Sequence, residues 1–364
     1  MNGRKLGEDI ALILPSFRSG GAERVVVNVA RGLTRDGVPV RVLVLEDVGP
    51  LRSLLPDDVE VVPLHRRRAR FAVPEIVRTL RHRPPRAVLT SHPQLNMLLP
   101  LLRPTLPRGI RIVVREPLLP SGRDERERRI RLLEGALGGA DAIIASSAAM
   151  RERLARRTRA GDRIVVVPNP VDVAGIRMAA SLVNPLVPTS RPALISVGRL
   201  IARKGHADLI DALAATRRTD LSLTIVGDGP ERGALEQRAS GLGLGPRARL
   251  TGRIDDVGTL AALVGSADRL VHPARFEGMP NAVLEALALG TPVLATREIT
   301  ALVELAEEVG PAALELVDRS ALPSALEGLS GEDASSLRPS LLPASFELPQ
   351  VVARIRAVLL PDAA

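Results

Sequence analysis

From residue 10 to residue 167 the chain alternates between short apolar runs and helical patterns. The apolar runs at 10–15, 40–45, 59–63, 87–90, 110–115, 142–145 and 163–167 are near-continuous, as expected of strands buried on both faces. Between them, 22–35, 74–81, 94–102, 123–137 and 147–157 read as helices, the fourth with Glu125/Arg129 and Glu127/Arg131 at i,i+4 spacing. This order commits the chain to a parallel sheet covered by helices on both faces. Pro168-Asn169-Pro170-Val171-Asp172 interrupts it. The pattern then restarts, with strands expected at 193–197, 221–226, 248–250, 269–272 and 292–295, and a last helix over 345–359.

A chain of 364 residues is too long for one ordinary core. The reading is an α/β protein of two Rossmann-like, doubly wound parallel-sheet domains facing across a cleft. The domains fall at 1–172 and 192–344, with 345–364 as a helical tail. The stretch 173–191, with Pro185 and Pro188, reads as a linker. In such sheets ligands bind outside the carboxyl ends of the strands.

Composition removes several function classes. There is no cysteine, hence no disulfide, thiolate nucleophile or Cys-held metal. No apolar run is long enough to span a bilayer. Met1-Asn2-Gly3-Arg4-Lys5 leads directly into a strand without a signal-peptide pattern, so the cytoplasm is the expected compartment. With four Phe and no Tyr or Trp, base-stacking platforms for nucleic acid are missing. Arg outnumbers Lys 48 to 2, a compositional bias that singles out Lys204. Charge is uneven: residues 1–180 carry net +13 and residues 181–364 net −4. Arg66, Arg67, Arg68 and Arg70 form the densest basic cluster. Either an anionic partner or Arg-rich composition alone accounts for it.

The chemistry concentrates in Phe276-Glu277-Gly278-Met279-Pro280-Asn281-Ala282-Val283-Leu284-Glu285-Ala286-Leu287-Ala288-Leu289-Gly290-Thr291-Pro292-Val293. Pro280 sits near a helix start and Gly290 just past its end. Glu285 is the only charge between Asn281 and Gly290. The apolar surroundings predict a buried carboxylate that needs a donor, which ligand hydroxyls would supply. Glu277 precedes the helix, where backbone N–H groups favour anions. A buried helix whose Glu pairs with an Arg is the plainer alternative.

A second segment, Ser196-Val197-Gly198-Arg199-Leu200-Ile201-Ala202-Arg203-Lys204-Gly205, turns at a glycine and presents cations before a helix, an arrangement suited to a diphosphate. Ser19-Gly20-Gly21-Ala22-Glu23 joins the first strand to the first helix and lets a ligand approach closely. His92 and the pair Arg115-Glu116 stand at strand ends of the first domain. Asp255-Asp256 looks like a metal pair but reads better as a helix start.

Together these segments resemble the retaining glycosyltransferases of glycosyltransferase family 4 (glycosyl transferases group 1), which have the GT-B fold. The resemblance is strongest over 193–296. It implies that Glu277 contacts the donor sugar and Glu285 the nucleotide ribose. Arg199 and Lys204 would hold the donor pyrophosphate beside Gly198, and Arg253 would lie against the base. Gly278, Met279, Pro280 and Asn281 complete the donor loop. Gly21 and His92 would line the reacting centre, with Arg115 and Glu116 as acceptor-side candidates. The tail helix would pack back on the first domain. No metal is expected in the site.

The implied reaction moves a hexosyl-type sugar, with retention, from a nucleotide-diphosphate sugar (a UDP-sugar before a GDP-sugar) to a hydroxyl of a carbohydrate, lipid-linked or small-molecule acceptor. An anionic membrane touching the basic first domain is a further expected partner, which would place the protein at the inner face of the membrane. A phosphorylase or sugar-nucleotide epimerase on the same fold is the alternative enzyme, and a non-catalytic polyanion-binding protein the alternative outside enzymes. One departure from the family stands out: Arg297-Glu298-Ile299-Thr300 replaces the usual Gly-Gly before a Glu.

Overall fold

The computed structural model describes residues 6–18, 20–116, 135–158, 160–183, 192–331 and 337–361. The chain divides into two compact units, Met1–Pro170 with Ser345–Ala364, and Val171–Ala344.

The first unit holds a seven-stranded sheet of β1 (Ile10–Ser16), β2 (Val40–Glu46), β3 (Glu60–Pro63), β4 (Ala87–Thr90), β5 (Arg111–Glu116), β6 (Ala142–Ala145) and β7 (Ile164–Val166). Their order is β3-β2-β1-β4-β5-β6-β7 and every pairing is parallel. Val42, Val44, Leu89 and Ile144 enter one core, and Leu43, Val88, Val114 and Ile143 the other. Both faces of the sheet are therefore covered, which is why these strands read as near-continuous apolar runs. The last helix, Leu348–Leu359, belongs to this unit. It buries Leu348, Val351, Val352 and Ile355 in the core shared with the Gly21–Arg35 helix. Arg111 Nε donates to Val358 O at 2.7 Å and Arg354 Nη2 to Val166 O at 2.5 Å. The helix expected over 123–137 lies mostly outside the described residues.

The second unit is a six-stranded sheet of β8 (Ala193–Val197), β9 (Ser222–Val226), β10 (Ala248–Gly252), β11 (Arg269–His272), β12 (Val293–Thr296) and β13 (Leu314–Val317). Its order is β10-β9-β8-β11-β12-β13, again all parallel. The strand order reverses between β1 and β4 in the first sheet and between β8 and β11 in the second. Doubly wound sheets bind ligands at such switch points.

Two expectations need correction. The stretch read as a linker over 173–191 begins with a helix, Val173–Ser181, whose N-cap Asp172 accepts from the Gly175 N–H at 3.1 Å. This helix packs on the Val257–Ser266 helix, where a side chain at Gly258 would meet the Ala179 carbonyl at 3.0 Å. β13 was also not expected, because Glu315 breaks its apolar run.

The helix carrying Glu285 runs Asn281–Ala288 and ends at Gly290, whose φ is 79°. A Cβ there would lie 2.5 Å from the carbonyls of both Arg338 and Pro339. Gly290→Ala should cost about 2 kcal/mol of stability, from the left-handed backbone and the collision together. Gly290→Asn should give no relief in a urea titration, because asparagine accepts the backbone but not the contact. An alanine variant as stable as wild type would show that the helix end rearranges freely.

Candidate active site

In the second unit, the loop after β8 and the loop after β11 meet at the switch point. Arg275 N–H donates to Arg203 O at 2.8 Å, and Arg203 Nη1 donates to Phe276 O at 2.9 Å. This lacing brings Glu277, whose side chain is 8% exposed, onto Lys204 in a direct ion pair. Arg203 Nη1 stands 3.2 Å from the same carboxylate oxygen, and His272 Nε2 is 3.4 Å from the other. Burial by itself would push the Glu277 carboxyl up. The His272 imidazole and the Lys204 ammonium outweigh it and hold Glu277 well below the usual carboxylate range.

Two buried imidazoles back this pair. Burial lowers His272 despite Glu277 beside it. Burial, followed by the Lys204 charge, lowers His206 to about 4. Both rings are neutral near pH 7. Ser196 Oγ stands 3.4 Å from His206 Nδ1. The cluster thus gathers an ionised carboxylate, two cations and two neutral imidazoles beside the phosphate-type loop.

Gly198 lies against Lys204: a side chain there would touch the Lys204 methylenes and Nζ at 3.5 Å. Gly227, with φ 149°, lets the end of β9 approach so closely that a Cβ would collide with the Gly198 carbonyl. The loop is therefore set from both sides. Arg199 is exposed, and its guanidinium has no partner among the described residues. Within the donor loop, Gly278 and Pro280 are buried, and Met279 and Asn281 half-buried.

Glu285 is half-buried rather than buried, and it already has an interaction within the protein. The expectation of a fully buried carboxylate is corrected: Glu285 lies on the half-buried side of the Asn281–Ala288 helix. Arg253 is exposed and pairs with Asp255 at 2.6 Å. Asp256 accepts from the Thr259 N–H at 2.7 Å as an N-cap, so the Asp255-Asp256 pair starts a helix. Among the described residues no group of three or more metal-ligating side chains occurs. In the loop that departs from the family pattern, Glu298 pairs with Arg319 at 2.9 Å and Arg297 N–H donates to Val317 O at 3.0 Å.

The first unit holds the remaining candidates. Gly21 opens the helix after β1, where a side chain at Gly20 would run into the carboxylate of Glu23. His92 is the N-cap of the Pro93–Leu101 helix, and its buried Nδ1 has no hydrogen-bond partner. Burial lowers its pKa, which keeps the ring neutral. Arg115 is 1% exposed, and burial lowers it to about 10 despite Glu116. Its guanidinium goes to Ser91 Oγ at 3.1 Å and to Asn169. Asn96 Nδ2 donates to Arg115 O at 2.8 Å and to Glu116 Oε2 at 3.1 Å, and Glu116 is also buried. Both residues are thus tied into the unit itself, where they fasten β4, β5 and the Asn169 turn to one another.

Arg203 and His272 were missed in the sequence. Arg203 is hidden among 48 arginines. His272 ends a strand at the same carboxyl edge as Glu277, a position that would have flagged it.

The family described as Glycosyltransferase Family 4 matches residues 19–174, and that described as Glycosyl transferases group 1 matches residues 191–330. The lipopolysaccharide core biosynthesis glycosyltransferase LpsE of Rhizobium meliloti is 39% identical over 110 residues, 30% of this chain and 31% of that protein. The GDP-mannose-dependent alpha-(1-6)-phosphatidylinositol dimannoside mannosyltransferase of Mycobacterium tuberculosis is 43% identical over 107 residues, 29% of this chain and 27% of that one. The matched segments thus span about a third or less of these relatives. In fold, Anabaena Alr3699/HepE, solved with UDP and glucose, superposes with a TM-score of 0.74 at 20% identity, covering 98% of this chain and 100% of that one. The two family matches together take in most of both units, each on its own parallel sheet, and the chain belongs to the GT-B glycosyltransferases of glycosyltransferase family 4 (glycosyl transferases group 1).

Proposed function

We propose that this protein transfers a hexosyl-type sugar, with retention and without an active-site metal, from a nucleotide-diphosphate sugar to an acceptor hydroxyl in glycan or glycolipid synthesis. The observation that carries the reading is the Lys204–Glu277 pair, joined by Arg203, at the switch point of the second sheet. A departing diphosphate needs fixed positive charge in a shielded place. Lys204, Arg203 and the unpaired Arg199 supply it, next to a glycine that leaves room for phosphate oxygens. Glu277, kept ionised by the same cations, is suited to accept from sugar hydroxyls. Glu285 is suited to the ribose. The protein then acts by positioning and charge stabilisation, while the leaving diphosphate takes the acceptor proton on the same face.

The named relatives point to both bases: HepE was solved with UDP, and the mycobacterial enzyme depends on GDP-mannose. A calorimetric titration of UDP and GDP into wild type and Glu285→Ala, without added metal, tests the reading. UDP is expected to bind in the micromolar range, more tightly than GDP, and Glu285→Ala to weaken it about tenfold or more. Absence of binding by either nucleotide to the folded protein would sink the transferase reading.

A further inference from the structure

The basic run Arg66 to Arg70, which the donor site does not use, edges a cavity of about 580 Å³ in the first unit. Pro15 and Leu45, at the ends of β1 and β2, line one side of it. His92 and Gln94, at the start of the Pro93–Leu101 helix, line another, and Arg67, Arg68 and Arg70 a third. Among the described residues no acidic side chain lines it.

The backbone that leads into the arginines is fixed to the sheet. Leu64 N–H donates to Val44 O at 2.8 Å and Arg66 N–H to Leu45 O at 2.9 Å, pinning the loop to β2. Between them His65 has φ 54°, a left-handed backbone unusual outside glycine. Their charge is poorly matched by acids. Arg66 turns away to Glu75. Arg67 lies 3.3 Å from Glu46, which Arg18 also approaches at 3.6 Å. The Arg68 guanidinium has no partner among the described residues, and Arg70 lies 4.7 Å over the Phe71 ring. The helix starting at Pro93 makes its first backbone bond from Asn96 N–H to His92 O. Gln94 and Leu95, in the first turn of that helix, line the cavity, and a helix start favours an anion. Excess guanidinium charge around a roomy pocket that also takes in a helix start suits an oxyanion.

We infer that this cavity binds a phosphate or carboxylate carried by the acceptor, through Arg67, Arg68 and Arg70, beside His92. The inference rests on the glycosyltransferase reading and narrows its acceptor to an anionic one. The anion belongs either to a soluble sugar or to a lipid headgroup, and the same guanidinium chemistry serves both.

The test uses the full chain and the charge reversal Arg68→Glu/Arg70→Glu, both exposed positions. Glucose 6-phosphate and glucose are titrated calorimetrically, and vesicles of phosphatidylcholine with or without phosphatidylinositol are sedimented. Wild type is expected to bind glucose 6-phosphate at least about tenfold more tightly than glucose, or to sediment only with phosphatidylinositol. The first result assigns a soluble source and the second a headgroup, and either response should be lost in the double variant. UDP affinity should be unchanged in that variant. Indifference of wild type to the phosphate in both formats, or responses equal in variant and wild type, would overturn the inference. Failure of wild type to bind any nucleotide would instead sink the transferase reading, so the two failures are distinguishable.

Discussion

Lys204→Ala is expected to lower sugar transfer about a thousandfold and to destabilise the protein by about 3 kcal/mol. Both losses come from one ion pair. Lys204 is 14% exposed and Glu277 8%, so neither charge has water enough to stand alone. Removing the ammonium leaves Glu277 with Arg203 at 3.2 Å, itself 35% exposed, and a neutral imidazole at 3.4 Å. A buried carboxylate so weakly paired costs several kcal/mol. The transfer loss has a different origin, because the ammonium would also neutralise the diphosphate as it leaves. The double variant Lys204→Ala/Glu277→Gln separates them. Removing both charges should restore urea stability to within about 1 kcal/mol of wild type, while transfer stays at the level of the single variant. A double variant that regains transfer would show that Lys204 serves only to hold Glu277. A single variant as stable as wild type would show that the pair carries no structural weight.

The fold was readable because parallel strands covered on both faces leave an unmistakable trace. β1 and β2 are mostly Val, Ile and Leu, and β5 keeps an apolar centre at Ile112, Val113 and Val114, while the glycine and proline breaks between them fall where turns occur. Legibility failed where burial is partial. β13 holds Glu315 and is an edge strand of its sheet, so its half-buried residues give neither a continuous nor an alternating pattern. The Val173–Ser181 helix was obscured by prolines on either side, which suggested a linker. Its stabilisation comes from a cap and from close packing at Gly258, neither of which leaves an apolar stripe.

The site was legible in its glutamates and lysine but not in its pairing. Glu277 is fixed in the sequence by the Pro280 helix start, and Lys204 by being one of two lysines. That they meet each other follows from the neighbouring positions of β8 and β11, separated by more than seventy residues of chain. Arg115 shows what position alone leaves out: its place at a strand end suggests ligand contact, and the structure adds that it is buried with its guanidinium on Asn169 and Ser91. Position along a strand locates the carboxyl edge of a sheet, but it does not say whether a side chain turns outward or into the turn below.

Acid should destabilise this protein before its carboxylates titrate, and His206 should account for much of the effect. Burial, with the Lys204 charge behind it, lowers the folded pKa of His206 to about 4 from an ordinary 6.5. Between those values the unfolded chain takes up a proton that the folded protein refuses. Stability therefore falls as pH falls from 6.5 toward 4, by about 3 kcal/mol at the lower end, and is fully present above 6.5. His272, lowered by burial, adds in the same direction. Glu277 does not confuse this window. Its depressed pKa contributes stability above its ordinary 4.5, and that contribution fades only at lower pH. Urea midpoints of wild type and His206→Gln at pH 5.0 and 7.5 test the assignment. Glutamine keeps a polar group near Ser196 and cannot charge, so the variant should lose clearly less stability on acidification. Equal losses in both proteins would move the acid sensitivity to other groups and show that His206 gains its proton without unfolding the loop around Lys204.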